Sequence, residues 1–387
     1  MSRDDMSALW WNQITGPANV VRQVTDALME KKHVIVSVPA DIPWRHQMRA
    51  SVLASLKQRF GSLEMLVHTI DVADDCPEET DVGRYLLRKV SSGQVASGYR
   101  DRTGETIQSY LSRCNVLKDT IIWVKGMNAA QMERWRLFCR SYSVKDASNG
   151  LFVLENTSGP DCPGGKNIAV IDYQRCVSLY DTQIFNSIVL DSEFHGLSQV
   201  WKQYVSAVCA SLCGTDAQVS YDLMRETDFL NESPLDALKR LAASDSYQSR
   251  GADPDSEHIF AHVRRQDEDF LIRKVWTAQL QVAFPIIELE RVNLIQRWED
   301  NFRQACSFKP VKRHGAELKD PYEIELGTMF FLMNYKEEGS YWLYLPDQQA
   351  REQIGFLRDC RNTLAHVNVC QPGELQRLFA CADEAPR

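Results

Sequence analysis

The sequence predicts an α/β domain built on a parallel sheet, followed by all-helical regions. Three observations carry this. Short, continuous, β-branched apolar runs alternate with helical stretches up to about Leu190. Strands buried on both faces read as unbroken apolar runs, and the helices between them supply the cover. Beyond Ser192 the strand signal stops and only helical periodicity continues. The composition, 44% apolar and 25% charged, is that of an ordinary globular chain and excludes disordered, collagen-like and coiled-coil classes. A length of 387 residues suits two or three domains.

The strands come in order. HVIVSVPA (His33–Ala40) is bounded by Lys31-Lys32 and by a turn at Asp41 and Pro43. LEMLVHTIDV (Leu63–Val72), TIIWVKGM (Thr120–Met127) and GLFVLEN (Gly150–Asn156) follow. A fifth strand is expected within Cys176–Leu190. Helices are expected at Trp44–Phe60, Asp81–Val90 and Ala129–Tyr142. Met6–Trp11, with its paired tryptophans, reads as an N-terminal element tucked onto this domain.

Leu197–Cys213 reads as a helix ending at Gly214. Thr215 or Asp216 can cap the next helix, and Ser233 before Pro234 the one after, because Pro suits a first helical turn. SDSYQSRGADPD (Ser244–Asp255) has linker composition. Helical patterns follow at Phe270–Phe284 and Ile286–Cys306, with an interruption expected at Pro285. After a basic loop (Lys309–Gly315) come helices near Glu323–Asn334 and at Asp347–Val367. The expected division is 1–191 α/β, 192–246 helical lid-like, 247–254 linker and 255–387 helical bundle.

Acids outnumber bases, 52 to 44, for a net charge of −8. Residues 255–387 hold 17 Lys+Arg and 21 Asp+Glu, so each part of the chain carries −4. A nucleic-acid coat protein would be basic, and that class is disfavoured. Eleven scattered cysteines without a CxxC argue for free thiols in a reducing, cytoplasmic setting. No apolar run approaches the ~20 residues of a membrane span.

Strand, loop, helix, further parallel strands and a helical lid is also the order of AAA+ and related P-loop ATPases, which residues 30–245 resemble. A working phosphate loop reads GxxxxGK[ST], with glycines exposing N–H groups and Lys neutralising phosphate. The corresponding stretch here is VPADIPWRHQMR, without Gly, Lys or Ser/Thr, and Lys125 ends the third strand where a metal-positioning acid is needed. The resemblance therefore implies a degenerate P-loop/AAA+-like module, and an unrelated doubly wound domain is the competing reading, since order alone does not fix the family. Arg45, His46 and Arg49 either hold an anion at the helix start or form a solvated face.

The sharpest local signal is RDCRNTLAHV (Arg358–Val367). Its Arg361-Asn362-x3-His366 resembles the motif of the HEPN superfamily, an Arg, a polar residue and a His four to six positions after the Arg; these are helical bundles of which many are metal-independent ribonucleases, often toxins or antiviral effectors. The resemblance covers roughly 255–383 and implies Arg361, Asn362 and His366 as catalytic residues and a homodimer in which two motif helices face one cleft. On a helix Arg358, Asn362 and His366 lie within about 80° of one another, so Asn362 is placed to orient the His366 ring. Arg361 and His366 stand about 140° apart, and Arg361 shares a stripe with Ile354, Leu357 and Leu364. Such an arginine needs an acid, Glu288 or Glu325, or a phosphate as partner. A His near its ordinary pKa can move the 2′-OH and leaving-group protons, and an Arg can stabilise charge on phosphate. Arg358, Lys312 and Arg313 are the expected RNA-binding residues.

No metal and no cofactor are expected. His258-x3-His262 has zinc-compatible spacing but lacks the companion ligands. Val275–Trp298 reads as core or dimer face, with Glu288 and Arg291 able to pair. A genuine ATP-dependent regulator is a third reading behind two leading functions: a metal-independent endoribonuclease, as toxin or phage-defence effector, carrying a degenerate ATPase-like regulatory or docking domain; or a non-catalytic HEPN/ATPase-like scaffold of a multi-protein bacterial complex. In both, partner proteins are expected and membrane is not.

Overall fold

The computed structural model describes residues 2–60, 66–75, 81–100, 104–144, 149–157, 159, 163–253, 255–308, 311–313, 316–318, 320–337 and 339–384, with backbone alone for 60, 75, 308, 311–313, 316–318 and 384. The chain divides into two compact units, Met1–Asp181 and Thr182–Arg387. No helix among the described residues is long and apolar enough to cross a membrane.

The first unit is a five-stranded parallel sheet with helices around it. Helix α1 (Arg3–Gln13) carries a capping box in which Ser2 and Asp5 satisfy each other's backbone N–H. It buries Met6, Trp10 and Trp11 completely, so the tryptophan pair anchors the N-terminus. Helix α2 (Thr15–Met29) leads into strand β1 (His33–Ser37), buried along its whole length. Helix α3 (Arg45–Phe60), strand β2 (Leu66–Asp71), helix α4 (Val82–Val90), strand β3 (Thr120–Lys125), helix α5 (Ala129–Ser141), strand β4 (Leu151–Asn156) and strand β5 (Ile168–Asp172) follow. Side-chain caps on Asp81 and Asn128 start α4 and α5. The sheet order is β2-β3-β4-β1-β5. Ile35, Ile122, Val124, Phe152 and Leu154 meet Leu86, Trp135 and Phe138 in one apolar core.

The fifth strand is not within Cys176–Leu190, as expected, but at Ile168–Asp172. Residues Leu179–Glu193 form helix α6. Its buried residues come in pairs (Asp181/Thr182, Phe185/Asn186, Val189/Leu190), a helical repeat that a run of apolar residues conceals. The true β5 is short and pairs only with β1, so Val170 is exposed and the apolar signal is broken.

The second unit is helical: α7 (Gln199–Cys213), α8 (Ala217–Glu226), α9 (Pro234–Ala243), α10 (Glu268–Arg297), α11 (Glu299–Phe308), α12 (Leu326–Asn334), α13 (Gln348–Ala365) and α14 (Pro372–Glu384). Gly214 ends α7 at φ 60°, Asp216 caps α8 and Ser233 caps α9 with Pro234 in its first turn. The expected break at Pro285 is absent: α10 runs through it as one 30-residue helix. Proline removes one backbone bond, but Val275, Ala278, Gln279, Ala283 and Ile287 are buried on both sides of it, and this packing outweighs the local cost. The linker-like stretch carries packed side chains. Tyr247 is buried and donates to Asp222, and Arg250 pairs with Asp216.

Candidate functional site

Two places in the fold gather polar and charged side chains, one in each unit. The first is the carboxyl edge of the parallel sheet. The chain leaving β1 crosses towards β2, whereas the chain leaving β4 crosses β1 to reach β5, so β1 and β4 flank a topological switch point. Open α/β sheets bind ligands outside such a point. The register places Ser37 beside Asn156 on one side and beside Asp172 on the other. These residues, with Val38, Pro39, Thr157, Gly159 and Gln174, line a cavity of about 170 Å³.

The groups at this edge are engaged with one another. Asn156 Nδ2 donates to Ser37 Oγ at 3.1 Å. Asp172 accepts from the Gln174 N–H and faces Arg175 at 3.3 Å. Lys125, at the end of β3, pairs with Asp71 at the end of β2. Glu155 on β4 is 1% exposed. It accepts from Trp123 Nε1 at 2.6 Å and faces Arg45 and Arg49 at 3.8 Å each. Arg45 and Arg49, read from sequence as either anion holders or a solvated face, thus lie against an internal acid. Arg45 also donates to the Pro39 and Ala40 carbonyls at 3.1 and 2.8 Å.

The loop after β1 is correspondingly closed. Val38, Ile42 and Trp44 are buried within it, Trp44 takes φ 44°, and Trp11 Nε1 donates to the Pro43 carbonyl at 3.0 Å. A bulky residue in the left-handed region is held there only when its surroundings fix it.

The second place is α13. Asp347 caps it through the Gln349 N–H at 2.9 Å. Ala350, Ile354, Leu357, Cys360 and Leu364 form its buried face. Arg358 lies on its flank, 3.5 Å over the Phe330 ring, and binds the neighbouring Asp359 at 2.5 Å. Arg361 reaches Glu325 at 4.0 Å, with 40% of its side chain exposed. An exposed pair at this distance contributes little stability.

Asn362 and His366 are both exposed. The link between them is the backbone bond from His366 N to the Asn362 carbonyl, 3.1 Å, which ends the helix. No side-chain bond joins them among the described residues, and one copy does not bring Arg361 and His366 onto a common partner. Lys312 and Arg313 lie in a short strand paired with Ala316–Leu318, and their side chains are outside the described residues, as are 309–310, 314–315 and 319.

The residues that hold this helix end lie in the stretch Val275–Trp298, which reads from sequence as core or dimer face. Trp276 Nε1 donates to the Leu364 carbonyl at 2.7 Å. Gln279, 1% exposed, binds both backbone groups of Cys370, at 3.0 and 2.7 Å. The last turn of α13 and the chain beyond are therefore fixed to α10. Arg291 pairs with Glu288 at 2.8 Å, and among the described residues Glu325 is the acid that Arg361 faces. His258 and His262 do not converge. His258 binds Asp216 at 3.1 Å, whereas His262 binds Asp267 at 3.0 Å and stacks on Phe270. No group of metal-ligating side chains suited to a metal ion occurs among the described residues.

No protein-family model matches the chain, and no curated protein matches it. Among solved structures it is similar to the Aeropyrum pernix ORC1 protein in complex with DNA, at 15% identity and a TM-score of 0.32, over 91% of this chain and 84% of that one. It is also similar to Drosophila ORC bound to GC-rich DNA and Cdc6, at 10% identity and a TM-score of 0.26, over 98% of this chain and 73% of that one.

Proposed function

We propose that the chain is a non-catalytic, ATPase-like scaffold that works within a multi-protein complex. The observation that carries this reading is the state of the loop after β1. Where a phosphate loop exposes N–H groups and a lysine, this loop buries Val38, Ile42 and Trp44, and the nearby Arg45 and Arg49 face the buried Glu155. The parallel five-stranded sheet, with β1 between β4 and β5, supports a degenerate AAA+-like module whose frame is kept and whose nucleotide chemistry is lost.

The test is a thermal shift with ATP or ADP and magnesium. A nucleotide bound at a hundred times its Kd adds ~2.7 kcal/mol, which moves the melting of a unit of this size by roughly 5–10 °C. No shift is expected, and a shift of that size refutes the reading. Its positive counterpart is a complex of fixed stoichiometry with the products of neighbouring genes, stable through gel filtration; a chain that elutes alone speaks against it.

A second reading, a metal-independent endoribonuclease of HEPN type acting as a homodimer, is favoured by one observation. Asn362 and His366 are exposed and make no side-chain hydrogen bond among the described residues, next to an Arg361 only loosely held by Glu325. In this reading a second copy brings its own Arg361 and His366 across the cleft, His366 moves the proton and Arg361 meets the phosphate. RNA incubated with the chain in EDTA decides it. Cleavage that His366→Ala abolishes supports the nuclease, and equal behaviour of the two proteins ends it.

A further inference from the structure

The chain is acidic overall, yet one groove of the first unit is basic. It lies at the amino ends of β1 and β5, opposite the edge described above, and has a volume of about 870 Å³. Among the described residues five cations line it: Lys31 and Lys32 just beyond α2, Arg136 and Arg140 on α5, and Lys166 in the turn before β5.

Two of these are neutralised locally. Lys32 pairs with Glu30 at 2.7 Å, and Arg136 binds Glu133 through two bonds of 2.7 Å. Lys31, Arg140 and Lys166 are exposed and make no ion pair within 4 Å among the described residues, although Glu133 also feels the charge of Arg140. The C-termini of α2 and α5 point here, each carrying about half a negative charge. Together with Glu30 and Glu133 they leave a surplus of about two positive charges among the described lining residues.

The scaffold of the groove is fixed. Lys31 sits at φ 55°, in the left-handed turn that ends α2. Gly165 and Ile168 bond reciprocally, at 3.1 and 3.2 Å, across a tight turn whose corners are Lys166 and Asn167. Asn167 Nδ2 donates to the Cys139 and Tyr142 carbonyls at 3.1 and 3.3 Å, tying this turn to the end of α5. The N–H groups of Lys166 and Asn167 donate to no acceptor among the described residues, and successive free N–H groups in a turn suit an anion. Among the described residues no aromatic side chain lines the groove to stack on a base.

We propose that this groove is an anion site that takes a run of adjacent phosphates, held by Lys31, Arg140 and Lys166. The phosphates belong either to a nucleic-acid backbone, bound without sequence preference, or to a free polyphosphate chain. This site is separate from the sheet edge and from α13, and it stands or falls independently of the scaffold and nuclease readings.

The experiment measures anisotropy of a short fluorescein-labelled DNA duplex and of a single-stranded RNA with the full chain, over a salt series. Inorganic tripolyphosphate and poly-glutamate serve as competitors. The combined Lys31→Glu, Arg140→Glu and Lys166→Glu protein is expected to bind about tenfold or more weakly, and the slope of log K against log salt to fall by about 2–3. Lys57→Glu, on exposed α3 surface, is expected to bind as the wild type does. Displacement of the oligonucleotide by tripolyphosphate at comparable concentration identifies a free polyphosphate, and binding of the oligonucleotide alone identifies a backbone. Absence of binding to the wild type, equal binding by the triple variant, or equal competition by poly-glutamate overturns the proposal. Should the triple variant melt early, each single reversal carries the same test with a slope change of about 1.

Discussion

Acidification is expected to loosen the first unit through one buried histidine. His33 opens β1 and is completely buried. Its Nδ1 accepts from the Phe152 N–H at 3.2 Å, and its Nε2 lies 3.5 Å from the Tyr142 carbonyl. The ring is therefore neutral, with its proton on Nε2. Protonating Nδ1 would set two donors against each other and charge a dry site. Burial pushes the pKa down to about 4, against the weaker opposing pull of the Tyr142 carbonyl. The folded value lies below the unfolded one, near ~6.5, so the unfolded chain takes up the proton first. Stability is thus complete above ~6.5 and is lost as the pH falls towards 4. The full loss is about 3 kcal/mol, of which about 2 has gone near pH 5. That corresponds to a melting shift of roughly 4–8 °C for a unit of this size. Native-state hydrogen exchange of the β1 and β4 amides, read near pH 7.5 and near pH 5, isolates the first unit. His33→Gln removes the titration at a cost in stability, and its pH dependence is expected to be shallower by about 2 kcal/mol. Parallel profiles for the two proteins refute the reasoning.

Three further outcomes follow from named contacts. Gln279→Leu leaves both backbone groups of Cys370 without their buried partner, and is expected to cost about 2–4 kcal/mol in denaturant unfolding of the second unit. Asp216 is 4% exposed; burial pushes its carboxyl up, but Arg250 and His258 outweigh this and hold it below its ordinary value. Asp216→Asn is therefore expected to destabilise by about 2–3 kcal/mol at neutral pH, and the gap to wild type to close as the pH falls below ~4. A Cβ on Gly150 would stand 2.7 Å from the Leu117 and Thr120 carbonyls, so Gly150→Ala is expected to cost about 1–3 kcal/mol, read from the melting of the first unit.

The parts of the fold legible in the sequence are those where one local signal dominates. β1, β3 and β4 are central strands buried on both faces, and an unbroken apolar run has no rival reading there. The caps at Asp216, one of two candidates with Thr215, and at Ser233 are readable because a short polar side chain before a periodic stretch has a specific backbone N–H to satisfy. The errors arise where tertiary contacts decide. β5 has one neighbour, so its apolar pattern is half lost to solvent. Pro285 looks like a helix stop until the residues around it are seen to be buried.

The same distinction separates the two charged regions. Arg358 and Arg361 lie in one helix and His366 caps its end, so a motif announces them, but their usefulness depends on what faces that helix, and sequence does not state it. The cations of the basic groove come from three segments far apart in the chain, and Lys32 and Arg136 have acids close by at Glu30 and Glu133. No run of charge forms along the sequence, and the division into equal acidic parts hides the groove entirely. Parallel topology gathers those segments, because it places the amino ends of β1 and β5 beside the end of α5. Net charge per segment therefore constrains the average field of such a chain and leaves its local sites undetermined.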